Sequence, residues 1–332
     1  MESLLSHFGF GQFEFVLRTL DNIRLPAYKG STLRGGFGHA FKKVVCVNRD
    51  KDCESCLLKG KCVYSYIFET PPPSDTLKMR KYPFAPHPFI ITPPLEEKKT
   101  YREGDTLCFE LTLIGKSVDF LPYFIYTFDE LGRMGIGKGN GKYQLEEVRA
   151  VRPGERTKVK GERGEIQHDE KTILIYSGKD KTLRNDFRVL TVDDISPLNL
   201  SSSTLHLSFL TPTRLKYDGQ LSSDLEFHIL FRNLLRRISL LSYFHCDNEL
   251  DLDFKGLIES SREVKVQKEK LSWFDWERYS NRQETKMKMG GFMGSITFQG
   301  GLGPFLPFLL IGEYIHVGKG TSFGLGKYNI ES

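Results

Sequence analysis

The sequence predicts an α+β fold of two tandem domains, each written in the order strand, helix, two strands, helix, strand. Three observations carry that expectation. A glycine- and lysine-rich segment occurs twice, near mid-chain and at the C-terminal end. Strand-like alternation and helix-like periodicity recur in the same order around both copies, and a charged stretch separates the halves.

The repeat is close. Residues 120–145 read FLPYFIYTFDELGRMGIGKGNGKYQL and residues 305–330 read FLPFLLIGEYIHVGKGTSFGLGKYNI. At one constant offset Phe120/Phe305, Leu121/Leu306, Pro122/Pro307, Gly135/Gly320, Gly139/Gly324, Gly141/Gly326, Lys142/Lys327 and Tyr143/Tyr328 coincide. Two copies with a period near half the chain mean duplicated domains, not a solenoid. The Phe-Leu-Pro match lies outside the glycines, so glycine richness alone does not produce it.

The elements follow in order. QFEFVLRTL (12–20) alternates apolar and polar residues as a half-buried strand does. STLRGGFGHAFKKVV (31–45) reads as a helix opened by Ser/Thr caps. TLCFELTLIG (106–115) is the next strand, followed by the first Phe-Leu-Pro helix and a Lys-Tyr strand. The second half repeats this with STLHLSFLTP (203–212), a long amphipathic helix over 222–244 capped by Ser222 or Ser223, GSITFQGG (294–301), the second Phe-Leu-Pro helix and a closing strand. Written twice, this is the ferredoxin-like (RRM-like) βαββαβ pattern. Domain bounds are expected at 1–151 and 203–332, with 152–202 a charged linker or hairpin and a small cysteine-rich metal knuckle at 46–62.

A chain of 332 residues with 39% hydrophobic content can bury two cores. The net charge of +5 is weak evidence of an anionic partner by itself. The longest apolar run, PFLPFLLIG, is far too short to cross a bilayer, and the first residues lack the basic start and apolar core of a signal peptide. A soluble cytoplasmic protein with no membrane partner is expected.

Nucleotide-binding motifs fail on the terminal loop. A Walker loop needs Ser or Thr after Gly-Lys, where Gly326-Lys327 is followed by Tyr328. The dinucleotide fingerprint fits Gly318 and Gly320 but has Phe323 at its third glycine. What remains is an anion-facing loop of another kind, Gly318, Lys319, Gly320, Gly324, Gly326 and Lys327, opened by His316. In RYSNRQETKMKMGG (278–291), Arg278, Arg282, Lys286 and Lys288 share one parity and would line one face of a strand. Beside two Gly-Lys loops, that favours a nucleic-acid surface. The first-domain loop is expected to matter less, so that Lys138 counts for less than Lys319.

Of six cysteines, Cys46, Cys53, Cys56 and Cys62 form C-x6-C-x2-C-x5-C. Four thiolates suit a closed tetrahedral Zn²⁺ site of structural kind; an iron–sulfur cluster would use the same ligands, and four plain thiols are the third reading. Cys108 and Cys246 are isolated in apolar contexts and read as core residues.

LPAYKGSTLRGGFGHAFKKVVC, the cysteine cluster leading into CVYSYIFETPPP, the twin glycine loops and the terminal HVGKGTSFGLGKY resemble the CRISPR precursor-RNA processing endoribonucleases of the RAMP superfamily, Cas-six type. The resemblance covers nearly the whole chain. It implies two ferredoxin-like domains and metal-independent cleavage of CRISPR repeat RNA to guide-bearing units, with that RNA and other CRISPR effector subunits as partners. In such chemistry a base takes the 2′-OH proton, the oxygen attacks phosphorus, and an acid protonates the departing 5′ oxygen. His39 is the candidate, with Lys43 at i+4 and Lys42 at i+3 on its helix and Tyr28 just before it. Arg34, on the same helix, is assigned to RNA, and His316 is the second candidate, with RNA contact or fixing of the loop as its expected role. A non-catalytic RNA-binding subunit of the same superfamily is the alternative; it needs the loops but has no need of His39. A zinc hydrolase fits poorly, because four cysteines would fill the metal.

Overall fold

The computed structural model describes residues 5–48, 53–152, 172–195, 203–221, 224–280 and 285–331. The first half runs β1 (Phe10–Thr19), β2 (Ile23–Arg24), α1 (Gly30–Val45), β3 (Phe89–Thr92), β4 (Thr100–Tyr101), β5 (Thr106–Ile114), α2 (Leu121–Met134), β6 (Tyr143–Val151), β7 (Thr172–Ser177) and β8 (Thr182–Leu183). The second runs β9 (Thr204–Thr213), β10 (Lys216–Tyr217), β11 (Gln220–Leu221), α3 (Phe227–His245), α4 (Phe254–Ser261), β12 (Lys265–Phe274), β13 (Glu277–Ser280), β14 (Thr285–Lys288), β15 (Gly291–Gln299), α5 (Leu306–Ile315) and β16 (Tyr328–Glu331).

The main sheets are antiparallel and ordered alike. The first is β3-β5-β1-β6-β7-β8 and the second β12-β15-β9-β16. In each, the strand before the first helix is central, flanked by the strands on either side of the second helix. The expected order of elements is therefore present twice.

Helix α1 buries Leu33, Phe37, Ala40 and Phe41, a 3–4 spacing that lays one face on the sheet. Phe37 stacks on Phe124 and Phe128 of α2, with centroids 4.8 and 5.3 Å apart. Gly38 has to be small, since an added Cβ would lie 2.1 Å from the Phe68 ring. The second core gathers Leu207, Phe209, Phe231, Phe305 and Phe308, and also takes Leu5, Phe8, Phe10, Ile90 and Ile114 from the first half. The halves thus share apolar contacts as well as a chain.

Some local expectations are corrected. Helix α1 starts at Gly30 behind Lys29, with no side-chain cap, so Ser31 and Thr32 fall within its first turn. Helix α3 starts at Phe227 behind Glu226, while Ser222 and Ser223 lie outside the described residues. TILIYS, within the stretch expected to be a charged linker or hairpin, is β7, which pairs with β6 and, as a hairpin, with β8 at the edge of the first sheet. No helix among the described residues is long and apolar enough to cross a membrane.

Candidate functional site

His39 and Lys43 are both exposed on α1, one turn apart, opposite the face that holds the core. Neither is tied to another group among the described residues. The other residues predicted to join them point elsewhere. Arg34, Gly38 and Lys42 form the next row round the helix, toward the 63–69 segment. Arg34 lies over the Phe68 ring at 3.9 Å and the Phe323 ring at 4.7 Å, and its guanidinium meets His87 Nε2 at 3.5 Å. It is thus a spacer between the domains, and the RNA assignment is corrected. Lys42 is half-buried, with its ammonium 5.8 Å from the Tyr64 ring.

Tyr28 does not reach the His39 face. Its hydroxyl donates to the Phe323 carbonyl at 2.8 Å and its ring sits 4.8 Å from that of Trp276. Desolvation pushes the phenol well above its ordinary range, and its hydroxyl proton is held by the Phe323 carbonyl. Its neighbour Lys29 is fully buried and donates to the carbonyls of Glu96 and Ala27, which pins the chain entering α1.

The terminal loop is a wedge between the domains. Phe323 O accepts from Tyr28, and a Cβ on Gly30 would sit 2.0 Å from that same oxygen. Gly324, at φ +82°, packs so closely that an added Cβ would lie 2.4 Å from Pro93 Cδ and 2.8 Å from Ile91 O. Lys327 is buried and paired at 2.7 Å with Glu110 of β5, across the domain boundary. That overturns the reading of Lys327 as a phosphate contact. His316 is buried too: its Nδ1–H donates to Leu325 O at 3.1 Å and its Nε2 accepts from Thr92 Oγ1 at 3.3 Å. Burial, then the Lys327 charge, holds His316 neutral and well below the usual imidazole range. It fixes the loop and faces no substrate, which removes it as second candidate base and as an RNA contact. Lys319 alone among the loop's charged groups is exposed; burial, then nearby Lys216 and Arg214, draw its pKa down.

The two glycine loops superpose in chemistry, though not in the register the sequence suggested. Ile136 N donates to Gly141 O, and Val317 N to Gly326 O. Lys138 N donates to Arg24 O at 2.9 Å, and Lys319 N to Arg214 O at 3.0 Å. A Cβ on Gly137 would meet Arg24 O at 2.3 Å and Leu25 Cδ2 at 3.0 Å; on Gly318 it would meet Arg214 O at 2.4 Å and Leu215 Cδ2 at 3.0 Å. Gly137-Lys138 thus corresponds to Gly318-Lys319, and Gly135, the cap of α2, to His316, the cap of α5. The gapless pairs Gly135/Gly320 and Gly139/Gly324 are corrected accordingly. Helix α5 has 10 residues against 14 in α2, and the lost turn reappears as extra loop around Gly320–Phe323. Sequence reasoning missed Arg24 and Arg214. The signal was present as Arg24-Leu25 and Arg214-Leu215, one pair in each half.

Within 278–291 the described residues belong to two paired strands, β13 and β14, and the start of β15, not to one strand. The backbone pairs Arg278 with Met287, out of phase with Lys286 and Lys288, and Arg282 lies outside the described residues. A single shared parity therefore does not hold. Burial raises the Cys53 thiol, with Cys46 and Cys62 near enough to add to it. Cys46 Sγ donates to Asn48 O at 3.4 Å, and no three His, Cys, Asp or Glu among the described residues form a metal-holding group.

Comparison with known proteins fits this geometry. Residues 207–328 match the family of the CRISPR-associated endoribonuclease Cas6. Residues 8–172 match an N-terminal domain family, AF_1859_N, and it is this part that carries His39. The resemblance drawn from the sequence, to Cas6-type endoribonucleases of the RAMP superfamily, holds. An uncharacterized protein of Archaeoglobus fulgidus is 26% identical over 325 residues, 93% of each chain. A Cas6 product complex has a TM-score of 0.55 at 15% identity, over 97% of this chain and 99% of that one. Thermus thermophilus Cas6 has 0.51 at 14%, over 98% and 99%. A partial Cas6-RT-Cas1–Cas2 complex matches at 0.55 and 13% over 99% of this chain, which spans about half (47%) of the matched chain. At these identities the structural likeness is one of fold.

Proposed function

We propose that the protein cleaves CRISPR repeat RNA without a catalytic metal, by 2′-OH attack that leaves a 2′,3′-cyclic phosphate and a 5′-OH. The two halves are read as tandem ferredoxin-like units. The observation that carries the proposal is the exposed His39 with Lys43 one turn on along α1, in a chain whose residues 207–328 match the Cas6 family. His39 takes the 2′-OH proton as O2′ bonds to phosphorus and the P–O5′ bond breaks, the Lys43 ammonium offsets charge building on the phosphate oxygens, and the departing 5′ oxygen takes its proton from solvent water. With Tyr28 and Lys42 turned away, these two residues are the catalytic pair of this reading. Repeat RNA and other CRISPR proteins are the partners.

The test is repeat RNA from the neighbouring array, incubated in EDTA. Cleavage should persist, stop when the nucleotide 5′ of the cut carries 2′-deoxyribose, and fall at least ~10²-fold in His39→Ala with RNA affinity held. Normal cutting by His39→Ala removes the base from this reading. RNA binding by wild type without any cleavage favours the non-catalytic subunit.

A structural Zn²⁺ on Cys46, Cys53, Cys56 and Cys62 stands as a separate proposal, supported by the donor set alone. Elemental analysis should find about one zinc per chain. Iron, or folded protein with neither metal, removes it.

A further inference from the structure

The first-domain loop holds a charge arrangement that folding does not explain. Arg24 and Lys138 are directly opposite in an antiparallel bridge, with Lys138 N donating to Arg24 O at 2.9 Å. Residues so paired project to the same side, about 5 Å apart at Cβ, and like charges there are destabilising. Both side chains are exposed, and neither is in an ion pair among the described residues. Together with Leu25, Pro26, Thr32 and Gly137 they line an open groove of about 480 Å³. Gly139, at the loop's tip, holds φ +94° with nothing within 4 Å of where a Cβ would be. Packing therefore does not account for its glycine. The second domain repeats the pair as Arg214 and Lys319, again joined by the Lys N–H and Arg carbonyl, with Lys216 beside them. An unfavourable pair present in both copies points to an anion between the charges.

The groove is also aligned with the catalytic helix. Thr32 lines it, and His39 follows seven residues later, so both share one face of α1 and lie about 10 Å apart along its axis. We propose that Arg24 and Lys138 clamp a backbone phosphate of the RNA strand that passes His39, a nucleotide or two from the scissile bond. This rests on the ribonuclease reading for the identity of the strand. The contact would be to phosphate, hence blind to base sequence.

The experiment uses the full chain as wild type, Lys138→Gln and the double variant Arg24→Gln/Lys138→Gln. Each is titrated by fluorescence anisotropy with repeat RNA and with single-stranded oligo(U) of about twelve nucleotides, at several salt concentrations, and its melting temperature is recorded. The double variant should bind both RNAs about tenfold more weakly at low salt, with a salt slope smaller by about 1.4, the single variant about half as much. Its melting temperature should hold or rise, because a repulsive pair is gone; a structural pair would lower it. An unchanged slope in the double variant, with wild type binding normally, overturns the clamp and leaves the ribonuclease reading standing. Loss of affinity only in step with a lowered melting temperature also overturns it. Inorganic phosphate that displaces neither RNA at sub-millimolar concentration supports a polymer site; displacement at that level reassigns the groove to a small anion and overturns the proposal. Wild type that binds no RNA fails at the earlier step and takes the clamp with it.

Discussion

The two glycine loops share one backbone pattern and are placed in opposite ways, one exposed and one packed between the halves. The first-domain loop closes in six residues, Ile136 to Gly141, and leaves Lys138, Gly139 and Asn140 exposed. The terminal loop takes ten, Val317 to Gly326, and reaches into the other domain, where Phe323, Gly324 and the following Lys327 meet Tyr28, Pro93 and Glu110. The expectation from sequence was that the terminal loop counts for more, with Lys138 below Lys319; in the structure it is the terminal loop that packs between the halves. One helical turn moved from α5 into the loop is the physical difference. Extra length lets a loop reach across an interface, and once buried its lysine needs a carboxylate. The lesson is that glycine marks close approach, and only the partner decides whether that partner is RNA or the protein itself.

The largest test of this contrast is Gly324→Ala. The new methyl would lie 2.4 Å from Pro93 Cδ, at a φ of +82°. Left-handed strain and overpacking add to about 3 kcal/mol, which urea unfolding would register as a lower midpoint. A loss under about 1 kcal/mol would mean that the wedge yields, and that the terminal loop is not the rigid one of the two.

Much of this was legible in advance, and the reason is periodicity. Leu33, Phe37, Ala40 and Phe41 mark α1's buried face in the sequence, which leaves His39 and Lys43 outside without any structure. The Phe-Leu-Pro and Lys-Tyr matches flank both loops correctly. What a gapless repeat could not show is a shorter helix offset by a longer loop, since register returns by Gly141 and Gly326. Lys327 was misread because its partner lies 217 residues away in another domain. Tyr28 was misread for the same reason: the carbonyl it serves is Phe323. Contacts across a domain boundary leave no local spacing to read.

Acid should separate the loops next. The wedge side of the molecule buries histidines held neutral: His245, whose Nε2–H donates to Pro86 O and whose Nδ1 accepts from Tyr66, and His87, bonded to Thr70 and facing Arg34. Burial, with Arg237 and other cations nearby, draws them down to about 4 and about 3. Unfolded imidazole titrates near 6.5, so below that pH the unfolded chain binds protons the folded chain refuses. Stability is therefore full above about pH 6.5 and falls as pH drops toward 4. At pH 5, His245 accounts for about 2 kcal/mol of that fall. Unfolding of wild type and His245→Asn at pH 7 and pH 5 checks it: the variant's own loss between the two should be smaller by that amount. Equal losses would mean that the interface does not hold His245 neutral.

The smallest effect is expected at the exposed glycine of the mid-chain loop. Gly139→Ala adds a methyl into open space, so only its φ of +94° resists the change. That costs about 1 kcal/mol, a third of the expected loss at Gly324, and the loop can relax because Asn140 and Lys138 beside it are exposed. Stability is then the lesser readout. If RNA phosphate comes close to this backbone, the methyl occupies the space the phosphate needs, and affinity for single-stranded RNA should drop severalfold while the urea midpoint barely moves. The same substitution at Gly324 should behave oppositely, with a large shift in midpoint and RNA binding that follows the folded fraction. Two glycine-to-alanine changes in equivalent loops, one read mainly by denaturant and the other mainly by RNA, would divide the roles as the geometry does. Matching behaviour in both assays would mean that the copies are not specialised, and that the extra length of the terminal loop is incidental to its use.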